Sequence, residues 1–249
     1  MAFWLLGFGV AKFEILFVKF MTFHIITIFP DIFSSYFGES IIGRAQEAEI
    51  IKINIYNLRD WTNDKHRTVD DTPYGGGAGM VMKIEPLYKA VFAIKEKIGH
   101  NSVRTVLLSA KGNKWNQEKA RTYSDFDHII LICGRYEGVD ERIVNFIDEE
   151  ISIGDYVLTG GEVPAMAIVD SVSRFLPGVL GNVSSLQDES HYRFGYLSAP
   201  QYTRPEVFVD RKGRKYSVPK VLLSGNHQEI EKWRQNQSKK LRLEKNKKR

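Results

Sequence analysis

The sequence predicts an α/β domain built on a mostly parallel sheet. Short apolar runs alternate with stretches of helical periodicity from Met21 to Phe175. Those runs are apolar at nearly every position, the mark of strands buried on both faces of a parallel sheet. Glycine-bearing segments follow three of them, at the strand ends where open α/β sheets hold their ligands.

Taken in order, residues 1–20 (MAFWLLGFGVAKFEILFVKF) are apolar but broken by Lys12, Glu14 and Lys19, too short a clean run to cross a membrane. They lack the basic start and small-residue cleavage site of a signal peptide and read as an appended N-terminal extension. A strand opens at Met21 and closes at Pro30-Asp31, followed by a helical pattern through Ile32, Phe33, Tyr36 and Phe37 to Ile41-Ile42. A strand over 50–56, a helix over 84–98, a strand over 105–108, a helix over 116–123 and a strand over 128–133 continue the alternation. Between them, residues 70–80 (DDTPYGGGAGM) form a glycine-rich segment without the Lys-Ser/Thr of a phosphate loop. The chain is organised around residues 152–181. There Tyr156-Val157-Leu158 reads as strand or loop, Gly160-Gly161 as a tight turn, and residues 165–175 as a helix with apolar positions at 165, 168, 169, 172 and 175, ended by Pro177-Gly178.

Past Gly181 the pattern loosens. Residues 182–197 read as a polar linker, and residues 198–249 as a small, mainly helical domain with a hairpin-like piece and an amphipathic helix over 228–243. The net charge of +5 is unevenly placed: residues 204–249 hold 15 Lys+Arg against 5 Asp+Glu, so this +10 leaves −5 for the rest. A basic end of this kind suits a phosphate-rich partner, nucleic acid before membrane. Cys133 is the sole cysteine, which excludes an intrachain disulfide and a cysteine metal cluster and agrees with a reducing, cytoplasmic compartment. The six histidines show no ligand spacing, so no structural metal is expected.

The three glycine-bearing loops, 109–112, 133–138 and 153–161, are expected to converge on one backbone-lined pocket. They contain neither a G-x-G-x-x-G nor a G-x-x-x-x-G-K-[ST] fingerprint.

Six segments together carry a resemblance: DDTPYGGGAGM (70–80), CGRYEGVDER (133–142), SIGDYVLTGGE with Pro164-Ala165, SRFLPGVLG (173–181), YTRPEV (202–207) and LLSGNH (222–227). In this order they closely resemble the bacterial tRNA (guanine-N1)-methyltransferases of the SPOUT, or trefoil-knot, superfamily, from about Met21 onward. The resemblance implies a deep trefoil knot within residues 21–181, against the general absence of knots. It also implies S-adenosyl-L-methionine as methyl donor, tRNA as substrate with the guanosine 3′ of the anticodon as target, and a homodimer sharing each active site. A dependence on Mg2+ belongs to the same set of implications.

Carried over by motif, the donor site comprises Gly134, Ile153, Gly154, Asp155, Tyr156, Val157, Leu158, Gly160 and Gly161, with Ser109 and Gly112 from another loop. Ala110 stands where the family commonly has proline. Guanine N1 carries a proton at neutral pH, so a carboxylate must accept it and a cation near O6 helps the developing negative charge. The family's base is an aspartate preceding a serine in the interdomain linker. Before Ser190 stand Asp188 and Glu189; spacing favours Glu189, with Asp188 as the alternative, and Arg174 matches the arginine near the target base. Tyr202 and Trp233 are candidates for base stacking, although Trp233 is read first as a core residue of the small domain. Two other functions remain open: a catalytically inactive RNA-binding protein, and a knotted methyltransferase with another RNA target. The linker acids, Arg174 and YTRPEV speak against both.

Overall fold

The computed structural model describes residues 20–181, 189–192 and 196–247. Between Leu180 and Gly181 the chain divides into two compact units.

The first unit begins with β1 (Met21–Thr27), every residue of which is buried. A 3-10 turn (Pro30–Phe33), α1 (Ser34–Phe37) and α2 (Ser40–Glu47) lead into β2 (Ile51–Asn57). Two short strands, β3 (Asp70–Asp71) and β4 (Val81–Met82), pair antiparallel around the glycine-rich segment. Then come α3 (Ile84–Ile98), β5 (Val103–Lys114), α4 (Gln117–Tyr123), β6 (His128–Cys133), β7 (Glu149–Ser152) and α5 (Glu162–Ser173).

The main sheet has the order β2-β1-β6-β5-β7 and every pairing in it is parallel. Alternate side chains of each strand enter opposite cores, which is why the strands read as continuous apolar runs. Phe23, Ile25, Ile129, Leu131 and Val106 pack with α1, α2, α4 and α5. Ile26, Ile130, Ile132 and Leu107 pack with Leu87, Ala90, Val91, Ile94 and Ile98, the buried face of α3. Each large aliphatic side chain so buried contributes on the order of 1.5–3 kcal/mol.

Tyr156–Leu158 form a loop after β7, one of the two forms the sequence allowed. Two details depart from the sequence reading. The segment 109–112 lies within β5 as a bulge, since Leu108 and Asn113 both pair with Ile151. The helix starts at Glu162, and Pro164 fits its first turn because no helical partner awaits an N–H there.

In the second unit, β8 (Val207–Val209) and β9 (Lys215–Ser217) form an antiparallel hairpin, followed by α6 (Lys220–Leu223) and α7 (His227–Lys247). Tyr202 and Trp233 lie within this unit with ring centroids 6.2 Å apart, Trp233 half-buried.

Candidate functional site

Strands β6, β5 and β7 are neighbours in the sheet, so the segments at their carboxyl ends meet. They enclose a cavity of about 430 Å³, within the range of small-molecule sites. The β5 bulge contributes Ser109, the β6 segment Gly134, and the segment after β7 Ile153, Gly154, Tyr156, Val157, Leu158, Gly160 and Gly161. Gly112 and Asp155 are not among the lining residues. A Cβ on Gly112 would lie 2.5 Å from the backbone of Glu150 and Ile151, so this glycine lets the bulge pack against β7. Asp155 pairs with Lys114 and is largely exposed.

The turn into α5 is pressed against the end of β6. The Gly161 N–H donates to the Gly134 carbonyl at 2.9 Å, and a Cβ on Gly161 would come within 2.6 Å of Cys133 Cα. Burial pushes the Cys133 thiol well above its usual range, as an inert core thiol.

A buried ion pair locks this turn from beneath. Glu162 is 1% exposed. Its carboxylate accepts from Arg135 Nε at 3.0 Å and from Thr27 Oγ1 at 2.8 Å. Arg135 also donates to the Thr159 carbonyl at 3.2 Å and rests over the Phe29 ring, 4.6 Å from its centroid. A buried charge needs both its partner and further hydrogen bonds, and Glu162 has them. The β1, β6 and α5 ends are thereby tied together under the cavity. Arg135 and Glu162 lie within CGRYEGVDER and SIGDYVLTGGE, but no local pattern marks them as partners.

Glu137, also unassigned, lines the cavity, as do Lys111 of the bulge and Glu141, whose side chains pair at 2.6 Å. The glycine-rich hairpin adjoins this wall. The Glu137 N–H donates to Met80 O and the Met82 N–H to Gly138 O, each at 3.0 Å. Gly75, Gly76, Gly77 and Gly79 all have positive φ. At Gly79 the positive φ favours glycine, and a Cβ would also displace the Glu137 side chain, 2.6 Å away. Tyr74, at the tip, is fully exposed.

Arg174 follows the last turn of α5, half-buried, and is not among the cavity's lining residues. Since Gly161 and Pro164 at the start of that helix do line the cavity, a rise of 1.5 Å per residue puts Arg174 about 18 Å further along the axis. Glu189 lies in the second unit, half-buried in a bend, and Asp188 lies outside the described residues. Among the described residues no three His, Cys, Asp or Glu gather into a candidate metal site, and no helix is long and apolar enough to cross a membrane.

Residues 21–248 match the family described as tRNA (guanine-1)-methyltransferase. Proteins named tRNA (guanine-N(1)-)-methyltransferase are similar over most of their length. That of Dictyoglomus turgidum is 54% identical over 214 residues, 86% of this chain and 83% of the relative. Those of Ruminiclostridium cellulolyticum and Clostridioides difficile are 52% and 50% identical over 219 residues, 88% of this chain and 91% and 92% of theirs. With a match that spans both units and relatives at half identity, the chain belongs to the tRNA (guanine-1)-methyltransferase family.

Proposed function

We propose that this enzyme transfers a methyl group from S-adenosyl-L-methionine to N1 of the guanosine 3′ of the anticodon, position 37 of tRNA. Membership of the family carries the reaction class, and the cavity beyond β5, β6 and β7 carries the placement of the donor. The cavity fits such a ligand: it has the volume, its lining comes from three glycine-bearing segments, and Glu137 adds a carboxylate to that lining for a cationic molecule. S-adenosyl-L-methionine supplies an electrophilic methyl group on a sulfonium; the protein supplies position and proton transfer.

In this reading the locked turn at Gly160-Gly161 and the bulge at Ser109 hold the donor, and Arg135 and Glu162 keep that turn from moving. Holding donor and acceptor in line supplies much of the acceleration, since no covalent enzyme intermediate is required. Glu189 accepts the N1 proton, with Asp188 as the alternative, and Arg174 stabilises the charge developing at O6.

The proposal includes a homodimer whose active sites are shared and whose chains are each tied in a trefoil knot. Two observations support sharing. Arg174 stands a helix length from the cavity of its own chain, so a second chain has to bring the two together. Ile32, Tyr36, Val157 and Val163 are exposed on the same unit, apolar surface of the kind a partner covers. The basic second unit grips tRNA through backbone phosphates, Tyr202 and Trp233 serve the small domain and its RNA face, and the setting is the cytoplasm. A Mg2+ requirement belongs to the proposal and is read by adding a chelator to the same assay.

The test is to incubate the protein with labelled donor and tRNA transcripts bearing or lacking the guanosine 3′ of the anticodon. Label should enter the first set alone, as 1-methylguanosine. Equal labelling of both, or methylation at a ribose, refutes the reading.

A further inference from the structure

The hairpin β8–β9 is built unlike the rest of the second unit. Its ladder pairs Phe208 with Tyr216, directly opposite each other, the rings 6.3 Å apart at 34°. Both are more than half exposed. Val207 and Val209, on the opposite face, are also exposed. A two-stranded ribbon open on both faces has no core to serve, and such ribbons are marginal on their own in water.

Its tip is held instead by Asp210. One carboxylate oxygen accepts the N–H groups of Lys212 and Arg214 at 2.8 and 2.9 Å. The other accepts the Tyr216 hydroxyl at 3.3 Å, with Arg214 Nε 3.7 Å away. Gly213, at φ 77°, closes the turn. Asp210 is thus spent inward, on the turn itself, while Arg211, Lys212 and Lys215 are exposed. The tip is a basic arm, its turn held by Asp210, beside an exposed aromatic pair.

We infer that the β8–β9 hairpin is a second RNA-docking arm, seated on the sugar-phosphate backbone of the tRNA through Arg211, Lys212 and Lys215. Charge complementarity selects the occupant: cations about one internally satisfied acid suit a polyanion, and exposed rings next to them suit ribose and unstacked bases. A purely apolar protein partner would be opposed by the same charges. This assignment rests on the tRNA reading above and adds to it the element that makes the contact.

The test uses the full chain with Arg211, Lys212 and Lys215 all replaced by Gln, leaving Arg214 and Asp210 to hold the turn. Affinity for full-length tRNA should weaken tenfold or more near physiological salt. The slope of log affinity against log salt should become shallower by roughly two, at about 0.7–0.9 for each phosphate no longer neutralised. The kinetic loss should fall in KM for tRNA rather than in kcat. Circular dichroism and Tm like those of the wild type exclude misfolding as the cause. An unchanged affinity and salt slope overturns the inference, as does a loss confined to kcat. Failure of the methylation reading shows separately, in a wild-type protein that forms no 1-methylguanosine.

Discussion

Replacing Gly161 with Ala adds a single methyl group where the turn into α5 presses on the backbone at the end of β6. Gly161 has φ −82° and ψ −2°, a conformation open to any residue, so the whole effect is steric. The added Cβ would stand 2.6 Å from Cys133 Cα, 3.0 Å from Gly134 N and 3.2 Å from Cys133 C. Carbon atoms settle at about 3.5–4.0 Å, so the turn and the end of β6 must part by about 1 Å. These are backbone atoms, and no rotamer change relieves them. The separation strains the 2.9 Å bond from Gly161 N to Gly134 O. Overpacking of this kind costs about 1–3 kcal/mol, and a hydrogen bond about 1 kcal/mol more. Gly134, Gly160 and Gly161 all line the cavity, so donor affinity should fall at least tenfold, as displacements near 1 Å do in sites that depend on alignment. Calorimetric titration with S-adenosyl-L-methionine and a thermal melt read the two effects. Gly181→Ala is the control, since nothing lies within 4 Å of a Cβ there. If Gly161→Ala binds donor and melts as the wild type does, the turn is not what shapes the site.

Two further predictions concern groups buried beneath the sheet ends. Arg135→Ala strands Glu162, 1% exposed, and should cost about 3–5 kcal/mol in urea unfolding at pH 8. A loss below about 1 kcal/mol contradicts the role given to the pair. His24 lies between Tyr56 and His128, hydrogen-bonded to each at 3.1 Å. Burial, then the neighbouring His128, Lys97 and Lys52, hold its pKa at about 4 instead of 6.5. Its folded pKa is depressed, so the neutral ring's contribution is complete above pH 6.5 and is lost as pH falls toward 4. Linkage puts the loss between pH 7 and pH 5 at about 2 kcal/mol. Urea midpoints for wild type and His24→Asn at those two pH values check this, and an equal pH dependence in both proteins sinks it.

How far the sequence could be read depended on whether a signal was local. The central strands and α3 were legible because Ile130, Ile132 and the α3 stripe from Leu87 to Ile98 serve a core on each side of the sheet. β7 was not, since it opens with Glu149-Glu150 at the sheet edge. Burial works against the charge of Glu149, but hydrogen bonds from Lys119, Tyr123 and Arg104 bring its pKa down to about 2. An edge strand that buries a carboxylate among cations carries no apolar pattern. The glycine loops can be named from sequence, but their meeting depends on strand order: β6, β5 and β7 are adjacent although β7 is the last of the main sheet's strands in the chain. Asp155, grouped with the donor residues by its motif, pairs with Lys114 at the surface. The contact of Thr27 with Glu162 joins residues 135 apart, and no periodicity announces it.

The proposed reaction needs both a bound donor and a proton acceptor, and Glu189→Gln removes the proposed acceptor alone. The measurement is a single-turnover methyl transfer to tRNA, made beside a donor-binding titration on the same preparation. Donor affinity close to that of the wild type with methyl transfer reduced at least a hundredfold is the predicted result, in line with the usual worth of a general base. Undiminished transfer contradicts it and takes the role of base away from Glu189.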